Sequence, residues 1–240
     1  MINNLSELNP DLYNFGNMLI LPGTIISWFK KENAYWHYQG DPSPEKPHAE
    51  LSSGLCSNGF FDCQRILCYP NVAEILAFQL ACEIKFFMNE EKIKKIDYVV
   101  APAYAAIPFG HEVAKALGAK FVFTEKDPSD PKGKKMLWQR MAIPTGANVL
   151  QVDELITTAS TIKEVRRAVQ EGNPDLVTFV PFVGTIVFRP ENLKAKQEYE
   201  IISLIKKEVQ NFEPGQCPYC KAGSLRVRPK KNWDKLTGKK

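Results

Sequence analysis

The chain of 240 residues has no run of 18 or more apolar residues, so a transmembrane helix is not expected. Its opening, Met1-Ile2-Asn3-Asn4-Leu5-Ser6-Glu7, lacks the basic segment and apolar core of a signal peptide. A cytoplasmic location and no membrane partner are the resulting expectations. No internal repeat or low-complexity tract divides the chain. Charge of one sign is not concentrated: 31 Lys and Arg against 27 Asp and Glu leave +4. A nucleic-acid partner is therefore not required, and none is expected. Histidine is scarce, at three. The six cysteines (Cys56, Cys63, Cys68, Cys82, Cys217, Cys220) read as thiols or metal ligands rather than disulfides if the protein sits in a reducing compartment. What remains is ordinary apolar content and enough length for one sizeable α/β core.

One stretch organises that core. Residues 149–152 form a short β-prone apolar run, the signature of a buried parallel strand. Asp153 and Glu154 follow, then Thr157, Thr158, Ala159, Ser160 and Thr161, then an amphipathic helix over 161–171. A helix N-terminus leaves backbone N–H groups unpaired and carries partial positive charge. The hydroxyls add donors for a phosphate dianion. The two carboxylates would repel that phosphate, so ribose hydroxyls are their natural partners. A plain βα unit with capping side chains is the alternative reading.

This stretch resembles the phosphoribosyl pyrophosphate (PRPP) signature of type I phosphoribosyltransferases, with Ala159 and Ser160 in the small-residue turn. The likeness to orotate phosphoribosyltransferases covers residues 48–191. Strand 98–101 leads into Pro102-Ala103-Tyr104-Ala105-Ala106-Ile107-Pro108 and a helix over 111–117, similar to the family's pyrophosphate loop. By that resemblance Ala103, Tyr104 and Ala105 hold the diphosphate, although Ala105 and Ala106 stand where Lys and Gly are common. Strand 121–124 precedes a polar loop from Glu125 to Lys135, which matches the family's catalytic lid. Glu125 replaces the usual Arg, and the lid has no His. Lys126, Lys132, Lys134 and Lys135 are the cations left to meet the leaving diphosphate. Upstream, Ser53, Phe60 and Phe61 lie in a Ser/Gly-rich hairpin that the resemblance places at the base pocket. Adjacent strand residues point to opposite faces, so one phenylalanine should be core. Arg189, after the apolar strand 176–188, is placed to meet a substrate carboxylate.

The remaining chain reads as scaffold. A helix is expected over 23–36, a proline loop at 41–47 and one long helix over 71–95, while 199–212 admits strand or helix, with an extended strand preferred. The tail carries Cys217-Pro218-Tyr219-Cys220, half of a zinc knuckle. A full site would need distant ligands such as Cys56, Cys63 or a histidine, or a partner chain. The first reading is a structural or exposed thiol pair, with zinc at Cys217 and Cys220 as the alternative. A thioredoxin-like role is set aside because no helix is expected to open at the motif.

The expected fold is an α/β parallel sheet flanked by helices, as in type I phosphoribosyltransferases, with a small N-terminal base-side hood and a C-terminal Cys-x-x-Cys tail. The division expected is a phosphoribosyltransferase domain over 1–192 and an extension over 193–240. The resemblance implies phosphoribosyl transfer from PRPP to orotate, with Mg²⁺, in a homodimer. A different base, or a non-catalytic PRPP-binding regulator, are the competing functions.

Overall fold

The computed structural model describes residues 4–14 and 19–238; the reading of Met1-Ile2-Asn3 lies outside them. The N-terminal part holds α1 (Pro10–Asn14), α2 (Pro22–Lys31), β1 (Tyr35–His37), β2 (His48–Glu50), β3 (Cys56–Ser57), β4 (Gly59–Phe61) and α3 (Gln64–Leu67). The central part runs α4 (Pro70–Glu90), β5 (Tyr98–Pro102), α5 (Ile107–Leu117), β6 (Lys120–Lys126), β7 (Met136–Leu137), β8 (Asn148–Ile156), α6 (Ser160–Gly172), β9 (Thr178–Phe188) and β10 (Glu200–Lys206). The chain ends with β11 (Asn211–Phe212), α7 (Pro218–Lys221), β12 (Arg226–Val227) and α8 (Trp233–Thr237). No described helix is long and apolar enough to cross a membrane.

The main sheet has six strands in the order β10-β9-β8-β5-β6-β7. All neighbours pair in parallel except β6 and β7. Buried parallel strands must be apolar on both faces, and β5 is buried at all five positions. Proline at the first turn starts α2, α4 and α5, where its missing N–H costs nothing. Gly118, at φ +66°, closes α5 in the left-handed conformation. Gly110 lets α5 lie directly on the sheet: a Cβ there would stand 2.6 Å from the Phe121 ring and 2.9 Å from Ala101 Cβ. The main core gathers α4, α5 and one sheet face, with Ile75, Leu76, Leu80, Ile84, Val99 and Phe109 fully buried.

A second sheet, in the order β11-β3-β2-β12, forms the hood. It joins residues 48–57 to residues 211–227, from the far end of the chain. The expected hairpin is present as β2 and β3. Four expectations change. The first is that no helix opens at the Cys-x-x-Cys; α7 instead starts at Pro218 with Cys217 as its N-cap. The helix expected over 23–36 ends at Lys31, and Tyr35-Trp36-His37 pair antiparallel with β4. β8 continues through Ile156, so Asp153 and Glu154 lie within the strand rather than after it. The boundary expected after residue 192 falls between β9 and β10 of one sheet, and the following segment closes the hood. The tail is thus woven into the fold, because β10 and the hood strands need partners from both chain ends. The strand expected within 199–212 is β10.

Candidate active site

The carboxyl ends of β5, β6 and β8 open on one side, where parallel sheets hold ligands. Three loops converge there: 103–106 after β5, the lid after β6, and 157–159 after β8.

The phosphate end is built by α6. Its N-cap is Ala159, which has no side chain to bond the first turn. Ser160 N–H makes only a long bond of 3.5 Å to Thr158 Oγ1, and no N-cap side chain serves the first turn of this 13-residue helix. Thr158 Oγ1 and Ser160 Oγ lie 2.9 Å apart, both exposed. An open cleft of about 680 Å³ faces this turn, and Lys126, Lys134, Lys135, Ser160 and Thr161 line it. The structure thus brings three of the four expected lid lysines to the expected phosphate end of the same chain.

The lid itself is ordered by carboxylates. Asp130 accepts backbone N–H bonds from Lys132, Lys134 and Lys135 at 3.0, 2.7 and 2.7 Å. These bonds hold its carboxyl below the usual range. Lys126 Nζ donates to Gly133 O at 2.9 Å, and Lys135 pairs with Asp127 at 3.2 Å. Glu125, in place of the family's Arg, receives Arg140 at 2.6 Å. Two of the candidate lysines are therefore engaged within their own loop. Lys132 and Lys134 are exposed.

In the diphosphate loop the Ala103–Tyr104 peptide is cis. Ala103 N–H is bonded to Thr124 O at 3.1 Å, which takes that donor out of the expected set. Tyr104 is 71% exposed, and the loop enters α5 at Ile107.

The other end of the site surrounds Cys63. Its thiol donates to Glu154 O at 3.5 Å. Burial pushes this thiol well up, and the Glu154, Asp62 and Asp153 carboxylates add to the rise while Arg189 opposes it. Each of these four charged groups lies within electrostatic reach of Cys63, the centre of this cluster. Asp153 is 6% exposed. Burial raises its carboxyl well above 3.8, and the neighbouring Glu154 raises it further. Arg189 is 9% exposed, and its Nε and Nη1 find no partner among the described residues. Burying guanidinium N–H groups without a partner is costly. Sequence reasoning missed Asp62 and Cys63; a contact across 91 residues leaves no local spacing to read.

The base-side expectations divide. Phe61 is core: its ring meets Phe29 at 5.6 Å and Tyr35 at 4.6 Å, and it is 6% exposed. It cannot stack on a base, because strand alternation turns it inward. Phe60 points the other way, half-buried, 6.3 Å from Trp233 of α8. Ser53 lies at the exposed tip of the β2–β3 turn, with no recorded contact to the Cys63 cluster. Of the four base-side residues expected, Arg189 alone is in that cluster.

A family profile described as "Phosphoribosyl transferase domain" matches residues 71–216. A curated orotate phosphoribosyltransferase of Thermoanaerobacter sp. is 34% identical over 184 residues, covering 77% of this chain and 88% of that one. One of Caldicellulosiruptor bescii is 32% identical over 182 residues, covering 76% and 87%. The solved UMP synthase of Leishmania donovani superposes with a TM-score of 0.52 at 15% identity, over 76% of this chain and 36% of that longer one, and supports the fold alone. With the loop and helix N-terminus at the strand ends, the acid pair within β8, and these relatives, the chain belongs to the phosphoribosyltransferase family.

Proposed function

We propose that the protein transfers the phosphoribosyl group of PRPP to orotate, releasing diphosphate and giving orotidine 5′-monophosphate. The observation that carries the acceptor is Arg189. Orotate is a flat pyrimidine bearing a carboxylate, and a guanidinium fork meets a carboxylate through two parallel hydrogen bonds. A buried guanidinium with Nε and Nη1 unpaired has the required donors. The curated relatives named above carry the same activity in their names.

The chain's part in the reaction is positional. The N-terminus of α6, with Thr157, Thr158, Ser160 and Thr161, binds the 5′-phosphate. Asp153 and Glu154 accept the ribose hydroxyls, and ionised Asp153 gains donors that offset its burial. Tyr104 and Ala105 offer backbone donors to the diphosphate. A bond forms between an orotate ring nitrogen and the anomeric carbon as that carbon's bond to diphosphate oxygen breaks. Positive charge grows on the ribose and negative charge on the leaving oxygens. Lys134, together with Lys126 and Lys135 once released from their loop partners, lines the cleft that would receive that charge, and Lys132 lies on the same lid. Asp153 and Glu154 supply the carboxylate oxygens that would hold Mg²⁺ with PRPP, and the ion would neutralise diphosphate charge. A homodimer, as the resemblance implied, is part of this reading.

Diphosphate release with PRPP, Mg²⁺ and orotate, set against a panel of other bases, tests the proposal. Turnover with orotate alone is expected. Tight PRPP binding without turnover on any base would instead favour a PRPP-binding regulator, the reading that the engaged Lys126 and Lys135 and the absent lid histidine support.

A further inference from the structure

Away from the PRPP site, four side chains from three elements converge. His48 comes from β2, Cys56 from β3, and Cys217 and Cys220 from the ends of the α7 turn. Their ligand atoms all lie within 4.8 Å of one another. Cys56 Sγ and Cys220 Sγ are 3.6 Å apart. His48 Nε2 stands 3.7 Å from Cys217 Sγ and 3.4 Å from Cys220 Sγ. Tetrahedral zinc, with Zn–S about 2.3 Å and Zn–N about 2.0–2.1 Å, sets sulfurs about 3.8 Å apart and sulfur from nitrogen about 3.6 Å apart. The three distances match those edges. They are far too long for a disulfide, whose S–S bond is about 2.05 Å.

The imidazole is also prepared for a metal. Ser224 Oγ donates to Lys46 O at 2.5 Å, so it can accept from His48 Nδ1 at 2.8 Å. That places the proton on Nδ1 and turns the Nε2 lone pair toward the sulfurs, the arrangement by which an outer partner fixes a metal-bound histidine. Cys220 N–H points at Cys217 Sγ at 3.5 Å, a donor suited to a thiolate. The Tyr219 ring stacks on His48 at 5.4 Å and meets Tyr38 tilted at 4.4 Å, and His48, Cys56 and Cys217 are buried while Cys220 is partly exposed. Three thiolates, a neutral imidazole and a dication sum to −1, and the Arg226 guanidinium lies within electrostatic reach of Cys220 and His48.

We propose that His48, Cys56, Cys217 and Cys220 bind one Zn²⁺ as a closed, four-protein-ligand structural site. The ion clips the C-terminal segment to the hood. All four positions are taken by the chain, so the site leaves no place for substrate and is not catalytic. A clip is needed because β11 and β12 are two residues each and hold the tail with few ladder bonds. The loop it closes is long, as Cys56 and Cys220 are 164 residues apart. This replaces the thiol-pair reading of Cys217 and Cys220. Of the distant ligands considered, Cys56 and a histidine contribute, while Cys63 belongs to the cluster around Arg189.

The test uses the full chain, purified under reducing conditions without chelator. Elemental analysis is expected to give one zinc per chain. After chelator treatment, Co²⁺ added to the wild-type protein should give the intense visible absorption of a tetrahedral thiolate site, saturating at one equivalent and lost on adding Zn²⁺. Cys220→Ser should take up at least tenfold less metal, whereas Cys68→Ser and Cys82→Ser should match the wild type. Chelation should also speed proteolysis beyond residue 207. Failure of the reduced wild-type chain to bind Zn²⁺ or Co²⁺ would overturn the proposal. So would a Cys56–Cys220 disulfide in the protein as isolated, or undiminished metal uptake by a Cys56→Ser/Cys220→Ser double variant.

Discussion

Arg189 and Asp153 carry opposite charges and share one problem, burial without a sufficient partner in the free protein. Replacing Arg189 with Leu should leave thermal stability equal or higher, because an orphaned guanidinium is removed. The same change should lower kcat/KM for orotate by about 100-fold or more while PRPP binding persists. Equal loss of PRPP and orotate binding would remove Arg189 from the acceptor site. Asp153→Asn works in the other direction. Its folded carboxyl is raised above 3.8, so the folded state holds its proton more tightly than the unfolded one. Stability from that proton is present at acid pH and is lost as pH rises from 3.8 through the folded value. At neutral pH Asp153→Asn should therefore melt higher, by about 2–4 °C for each ~1 kcal/mol relieved. The gap from wild type should shrink toward pH 4. PRPP affinity should fall sharply in the same variant; unchanged affinity would misplace the ribose.

At the scale of elements, the N-terminus of α6 and the seat of α5 make separable demands. Ser160→Asp/Thr161→Asp sets negative charge where phosphate is expected, and should raise the dissociation constant for PRPP by at least tenfold with α6 intact by circular dichroism. Lid substitutions should behave differently. Lys134→Ala, which breaks no recorded side-chain bond of the lid, should reduce turnover more than PRPP affinity; a loss confined to affinity would assign that lysine to the ground state. Gly110→Val tests packing alone. Its side chain would enter the Phe121 ring and Ala101, so a loss of about 1–3 kcal/mol is expected in denaturant melts. Much of this was readable along the chain: proline starts, a glycine stop, the apolar run of β8 and the hydroxyl turn after it. The end of β8 was not. Leu155 and Ile156 extend the strand past the acid pair because they pair with Val187 and Phe188 of β9, which no local pattern reveals.

For the whole molecule, the hood is the feature that ties distant chain together. Removing residues 208–240 strips β11, α7, β12 and α8, exposing Cys56 and Tyr38, which pack on α7 and β11, and Phe60, which packs on Trp233 of α8. The truncated chain should melt lower, while the six-stranded sheet, which ends at Lys206, remains. Full retention of wild-type stability would show that the tail is an appendage after all.

The sequence by itself determined the parallel sheet, the order of anion-binding turns and the PRPP motif, because each depends on residues close together in the chain. Periodicity, turn chemistry and capping are local, and a motif within fifteen residues carries its own geometry. Only the tertiary structure decided which residues share a site. It turned Phe61 into the core and Phe60 out, since the pairing of β1 with β4 fixes that register. It set Cys63 against Glu154 and left Arg189 unpaired beside them. It also completed the half-motif at Cys217 and Cys220 with His48 and Cys56. Those partners stand more than 160 residues away, and sheet pairing, not spacing, brings them within bonding distance.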